Sequence, residues 1–247
     1  MGDNSGIEWT DATWNPTVGC TKVSPGCKHC YAEIMHRRLT EMGMAKYADP
    51  FKVVRPWEPH LEEPLRWRQP RLIFVNSMSD LFHEDIPFDY LRRVFDVMVR
   101  ARQHRFQVLT KRSDRLRELA PGLPWASNVW MGVSVESAKY VHRVHDLQTV
   151  PAAVRFLSVE PLLGPIPNLP LDGIHWVIVG GESGFSARPM ALDWARDIRD
   201  QCDEAGAAFF LKQLGGVRDK RGGDRATLDG RLWRDLPDAW AAQMVAG

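Results

Sequence analysis

The stretch Arg71–Asp80 reads RLIFVNSMSD, a continuous apolar run that stops abruptly in small polar residues and a carboxylate. Apolar residues in series, without polar alternation, fit a strand covered on both faces, which is the habit of parallel sheets. The same pattern recurs at Arg105–Thr110 (RFQVLT), Asn128–Val133 (NVWMGV), Val154–Val159 (VRFLSV), His175–Val179 (HWVIV) and Ala207–Leu211 (AAFFL), and an earlier strand is expected near Trp14–Val18. Between the runs lie helical patterns. Phe88, Leu91, Phe95 and Met98 mark one face of a helix that starts near Pro87 with Asp85 as its cap, and Tyr31–Met42 and Leu192–Ala205 also read as helices. Repeated βα units without a Gly/Ser linker predict a single α/β domain, either a doubly wound sheet or a closed or partly closed barrel. In both, ligands gather at the carboxyl ends of the strands. Those ends are rich: Asn76-Ser77-Met78-Ser79-Asp80, Thr110-Lys111-Arg112, Ser134-Val135-Glu136-Ser137, Glu160-Pro161, Gly180-Gly181-Glu182-Ser183-Gly184 and Lys212-Gln213. Part of this polarity belongs to loops and helix entries, where Glu160 and Glu182 would serve as well.

The whole chain is 247 residues, 44% hydrophobic and 26% charged, which excludes wholesale disorder. Its net charge of +1 means that any nucleic-acid surface is local. No apolar run approaches a membrane span, and the polar start, with Asp3 and Glu8, is unlike a signal peptide, so the expected location is the cytoplasm and no membrane partner is expected.

Three of the four cysteines, Cys20, Cys27 and Cys30, fall within eleven residues in the segment GCTKVSPGCKHCYAE, Gly19 to Glu33. In a reducing compartment such a cluster points to metal or redox chemistry rather than disulfides. Three thiolates suit three corners of an iron–sulfur cube, leaving one iron open; with His29 or His83 they also suit a structural zinc site. Pro25-Gly26 supplies the reversal between Cys20 and the Cys27–Cys30 pair. Cys202, inside a helical stretch, reads as a small buried hydrophobe, and His142 and His145, three apart, as surface residues.

The three-cysteine loop after the first strand of a repeated βα domain resembles the radical S-adenosylmethionine (SAM) superfamily, although six residues rather than three separate the first two cysteines. The motifs GCTKVSPGCKHCYAE, VNSMSDLFHE, LTKR, SVEP, GGESG and LKQLGG together resemble the phage Gp37/Gp68 family, a DUF5131-type, radical SAM-like group, over Cys20 to Gly216. The resemblance implies a partial (βα)6-type barrel of parallel strands over residues 1–216, with the Fe–S loop at 19–31 and a basic, aromatic C-terminal extension over 217–247. It implies a [4Fe–4S] cluster on Cys20, Cys27 and Cys30, SAM on the open iron, and an external one-electron donor. By strand position it assigns Ser79, Asp80, Ser134, Glu136, Glu160, Gly180, Gly181 and His29 to SAM, and Glu182 and Lys212 to the substrate. The activity implied is reductive cleavage of SAM to a 5′-deoxyadenosyl radical acting on a nucleobase or modified nucleotide. Isomerisation, phage DNA hypermodification and base repair are the expected settings. The second reading is a non-catalytic, zinc-stabilised nucleic-acid-binding protein.

Two segments have the composition for nucleic acid: Arg55-Pro56-Trp57 through Arg66-Trp67-Arg68 and Arg71, and Arg218 to Arg234 with Lys220, Arg221, Arg225, Arg231 and Trp233. The tryptophans suit the core equally, with arginines at its rim. Lys111 and Arg112 at a strand exit are expected to meet an anion, and Leu228–Trp233 reads as a hairpin on an Asp-Gly turn.

Overall fold

The computed structural model describes residues 6–237. Among these residues the elements are β1 (Ala12–Trp14), β2 (Thr17–Val18), α1 (Tyr31–Glu41), β3 (Arg55–Pro56), β4 (Leu72–Val75), α2 (Phe88–Arg100), β5 (Arg105–Thr110), α3 (Ser113–Leu119), β6 (Val129–Ser134), α4 (His142–Gln148), β7 (Val154–Val159), β8 (Trp176–Gly180), α5 (Leu192–Ala205), β9 (Ala208–Gln213), β10 (Thr227–Leu228) and β11 (Arg231–Leu232). The main sheet has seven strands in the order β1-β4-β5-β6-β7-β8-β9, one more than a (βα)6 unit. The pairs β1–β4, β4–β5, β7–β8 and β8–β9 are parallel. The order follows the chain without reversal, as in βα barrels; a doubly wound sheet reverses at its switch point. The chain divides into two compact units, 6–131 with 150–153 and 132–149 with 154–237, and β6 runs from one into the other.

In the first unit Leu72–Val75 is buried along its whole length, as its unbroken apolar run requires. Trp14 of β1 lies edge-on to Phe106 of β5, their ring centroids 5.8 Å apart. Helix α2 buries Leu91, Phe95 and Met98 of the expected face together with Val94, while Phe88 at its start is only half-buried. Asp85 does not cap it. Pro87 occupies the cap, its carbonyl taking the Leu91 N–H, while the Asp85 backbone N–H donates to His83 Nδ1. The expected strand over Trp14–Val18 is two strands interrupted at Asn15-Pro16: β1 joins the main sheet, and β2 pairs antiparallel with β3.

In the second unit Trp176 on β8 packs between Phe156 of β7 and Phe210 of β9, at 5.8 and 6.0 Å. Gly132 on β6 leaves the space that the Phe156 ring fills; a Cβ there would come within 2.5 Å of it. Helix α5 ends on Gly206 in the left-handed conformation (φ 69°), whose N–H reaches back to the Cys202 and Asp203 carbonyls. Strands β10 and β11 are antiparallel across Asp229 and Gly230, both at positive φ, as an Asp-Gly hairpin turn requires. Among the described residues no helix is long and apolar enough to cross a membrane.

Candidate functional site

The cysteine loop belongs to the first unit and leaves the end of β2. Gly19 sits at φ 82° with its α-carbon pressed on the Val53 carbonyl, where a Cβ would lie at 2.1 Å; only glycine fits the turn that delivers Cys20. The Cys20 N–H then bonds the Phe51 carbonyl at 2.8 Å. A short 3₁₀ turn, Pro25–Cys27, makes the reversal, and Cys30 is the residue from which α1 departs. All three thiols are half-buried; Ser24 Oγ lies 3.7 Å from the Cys27 sulfur.

Arg112, at the exit of β5 and itself buried, is the centre of this region. Its Nη1 donates to Asp80 Oδ2 at 3.2 Å and approaches the Cys20 sulfur at 3.8 Å. Its Nε donates to Glu84 Oε2 at 3.0 Å and its Nη2 to the Thr21 hydroxyl at 2.8 Å. Thr21 continues the network to His83 Nε2, also at 2.8 Å. Burial pulls the guanidinium pKa down, but Asp80, Cys20 and Glu84 outweigh it and hold it above its ordinary value. The Cys20 thiol is pushed up to about 12, first by burial and then by the Asp80 charge, with Arg112 pulling the other way. His83 is held below the usual imidazole range by burial and by Arg112.

Asp80 is fully engaged by the protein. Oδ1 accepts from the Phe82 N–H at 3.0 Å and the Thr110 hydroxyl at 2.7 Å, and Oδ2 from the Lys111 N–H at 3.1 Å as well as from Arg112. Four donors use the usual capacity of a carboxylate, so this side chain orients Arg112 rather than waiting for a ligand. Ser79 is bonded to Thr17, hydroxyl to hydroxyl, at 2.8 Å. Tyr31 donates to the Ser77 carbonyl. Arg112, expected at an external anion, is committed inside the protein; its neighbour Lys111 uses its backbone N–H on Asp80.

The second unit holds the remaining carboxylates in three ion pairs. Glu136, just beyond β6, is wholly buried and bonded to buried Arg143 at 3.0 Å. Ser134, also buried, gives Arg143 its carbonyl at 2.8 Å. Glu160, after β7, meets Lys212 of β9 at 2.9 Å, and Gly180 provides its room, because a Cβ there would stand 2.6 Å from Oε1. Glu182, after β8, takes the Arg188 guanidinium through both oxygens, at 2.8 and 2.6 Å, and the Arg188 N–H at 2.9 Å. Gly181 lies against the Leu214 carbonyl, where a Cβ would sit at 2.3 Å. Of these side chains Lys212 keeps 24% of its surface exposed.

Among the described residues, no group of three or more His, Cys, Asp or Glu side chains is gathered to hold a metal ion. The loop nonetheless carries three thiols, sulfur donors that an iron–sulfur cluster or a zinc ion takes, with an Arg N–H directed at one of them. Cys202 is buried inside α5, away from the loop in sequence, and burial pushes its thiol up to about 12. His142 and His145 are exposed on α4. Trp57 and Trp67 are half-buried and carry Arg55 and Arg71 on their faces at 4.9 and 5.0 Å, so the first Arg/Trp segment stacks on itself.

Arg143, Glu84, Thr21 and Arg188 were not apparent as partners in the sequence. The available signal was charge, and it was ambiguous: Arg188 is the first cation after Glu182, six residues on, but Lys139 stands nearer to Glu136 than its partner Arg143, seven residues on.

The sequence matches the family described as "Protein of unknown function (DUF5131)" over residues 4–237. No curated protein and no solved structure matches.

Proposed function

The chain belongs to the DUF5131 family, and on that premise we propose that it is a radical SAM enzyme of the cytoplasm whose Cys20, Cys27 and Cys30 hold a [4Fe–4S] cluster. The observation that carries the reading is the trio of half-buried thiols on the loop leaving β2, with the Arg112 guanidinium against the Cys20 sulfur. When bound, the cluster would supply the electron, received from an external donor, that splits SAM into methionine and a 5′-deoxyadenosyl radical able to take a hydrogen from the substrate.

The chain's own part is electrostatic. Three thiolates concentrate negative charge, and Arg112, held by Asp80 and Glu84, offsets it at Cys20. Hydrogen bonds to cluster sulfurs and local charge are levers that set reduction potential. Because the Cys20 thiol is protonated in the metal-free protein, loading releases a proton. In the second unit, Lys212 Nζ and Glu160 Oε1 stand 2.9 Å apart, the distance for holding or passing a proton between them. The substrate class proposed is a nucleobase or modified nucleotide, with isomerisation of a base side chain as the reaction.

Anaerobic reconstitution with iron and sulfide, followed by reduction with dithionite in the presence of SAM, should yield 5′-deoxyadenosine, and Cys27→Ser should abolish it while the chain stays folded. A colourless protein with one zinc and no cleavage would replace this reading with the zinc-stabilised binding protein. Mass spectrometry of nucleosides from cells with and without the protein addresses the substrate.

A further inference from the structure

One loop of the second unit is built unlike its surroundings. Between Glu182 and Arg188 the chain leaves β8 and returns within a closed clasp: both Glu182 carboxylate oxygens hold the Arg188 guanidinium, and Oε2 also takes its N–H. The loop is fixed on its other side by the segment after β9. Ser183 bridges Gly216, the Gly184 N–H bonds the Gly216 carbonyl at 3.1 Å, and the Gly216 N–H bonds the Glu182 carbonyl at 2.9 Å. Gly184, at φ 115°, permits the turn, and the Ala187 N–H closes it onto the Gly184 carbonyl. At the tip of this tethered loop stands Phe185, 93% exposed.

A single exposed hydrophobe is ordinary on a protein surface. A phenyl ring on a loop tied down at both ends is different, because the tethers keep the ring from collapsing onto apolar surface that would otherwise bury it. The neighbouring chain is cationic. Arg218, Lys220 and Arg221 are exposed within five residues of Gly216. Asp219, the acid among them, is paired with Arg225. An aromatic face beside a run of cations is the chemistry that binds single-stranded nucleic acid: the ring stacks on a base and the cations neutralise phosphates. A membrane surface would want more apolar bulk than Phe185 and Val217 supply.

We infer that the Glu182–Arg188 loop is a base-stacking platform for single-stranded nucleic acid, with Phe185 under a base and Arg218, Lys220 and Arg221 along the backbone. The inference rests on the nucleotide part of the function proposed above and gives that substrate a polymeric form. It requires neither cluster nor SAM.

The test is fluorescence anisotropy of the full-length chain, without SAM or reductant, against labelled single-stranded DNA and RNA of about 15 nucleotides, a span within the range one binding module covers. Binding should weaken as salt rises, and the two probes separate DNA from RNA. Phe185→Ala should weaken it by roughly tenfold. Phe185→Trp should bind as well as wild type and Phe185→Leu as poorly as Phe185→Ala, since stacking needs a π-face and a greasy contact does not. Arg218→Ala should lower the salt slope by about 0.7, the share of one phosphate contact on a single strand. Absence of oligonucleotide binding, full binding by Phe185→Leu, or Phe185-dependent binding to phosphatidylserine vesicles in its place would overturn the inference. SAM cleavage is read in a separate assay, so a chain can fail there and pass here, or the reverse.

Discussion

In the first unit a single guanidinium, Arg112, serves Asp80, Glu84, Thr21 and the Cys20 sulfur at once, whereas in the second unit Glu136, Glu160 and Glu182 each make their close ion pair with a different cation, though Arg188 also feels the Glu136 charge. The difference teaches how each region tolerates change. A hub couples its members: losing it leaves buried Asp80, half-buried Thr21 and Cys20, and exposed Glu84 short of a partner together. Separate pairs fail one at a time, and their costs add when they share no partner.

The largest effect expected from this contrast is at the hub. Arg112→Met leaves the buried Asp80 carboxylate without its counter-charge and should cost about 4 kcal/mol in urea unfolding, near the middle of the range for breaking a buried pair. It should also slow alkylation at Cys20, because the guanidinium that approaches this sulfur is what pulls its thiol pKa down. If it proves no more costly than a change in an exposed pair, the hub description is wrong. Next is Arg143→Met, which strands the wholly buried Glu136 and should cost about 3 kcal/mol. Lys212→Met, at a partly solvated pair, should cost about 1 kcal/mol or less. Combining the last two should give their sum within about 0.5 kcal/mol; a larger coupling would mean that the second unit is also a network.

The last effect concerns a cation that contrasts with both arrangements. Lys46 is buried with its ammonium on the Asn15 carbonyl at 2.6 Å and on the faces of Tyr47 and Trp57, and burial lowers its pKa to about 8. The folded chain therefore releases this proton before the unfolded chain does. Between pH 8 and pH 9 the unfolded state holds more protons at this residue, so its contribution to stability rises with pH, by at most about 1.4 kcal/mol per unit. Cys20 and Cys202 from about pH 9, and Tyr47 from about pH 10, all raised to about 12, act in the opposite direction. Urea unfolding of wild type minus Lys46→Met across pH 8 to 9 isolates the term. A flat difference would remove Lys46 from the account.

What the sequence made legible follows from the range of each interaction. Strands with mostly apolar runs, such as Val154–Val159 and Arg105–Thr110, were readable to the residue because burial on both faces constrains most positions. Helix α5 and the Asp229-Gly230 turn were readable because capping and turn chemistry are local. The Asp85 cap failed for a local reason too: Pro87 competes for the same place. Asp80 was legible as a strand-exit carboxylate, but its commitment to Thr110, Lys111 and Arg112 was not, since those donors come from about thirty residues away, on the next βα unit. Gly180 and Gly181 were legible as sites of close approach, and their neighbours proved to be Glu160 and Leu214 of the same chain.

The account's central claim is that the loop sulfurs take iron. Its most direct measurement is metal and acid-labile sulfide analysis of the anaerobically purified chain beside a variant with Cys20, Cys27 and Cys30 all changed to serine. The claim predicts about four iron and four sulfide per chain in the wild type, on the cube expected of three-thiolate loops, and neither in the variant. One zinc per chain with no sulfide, or iron retained without the three cysteines, would contradict it.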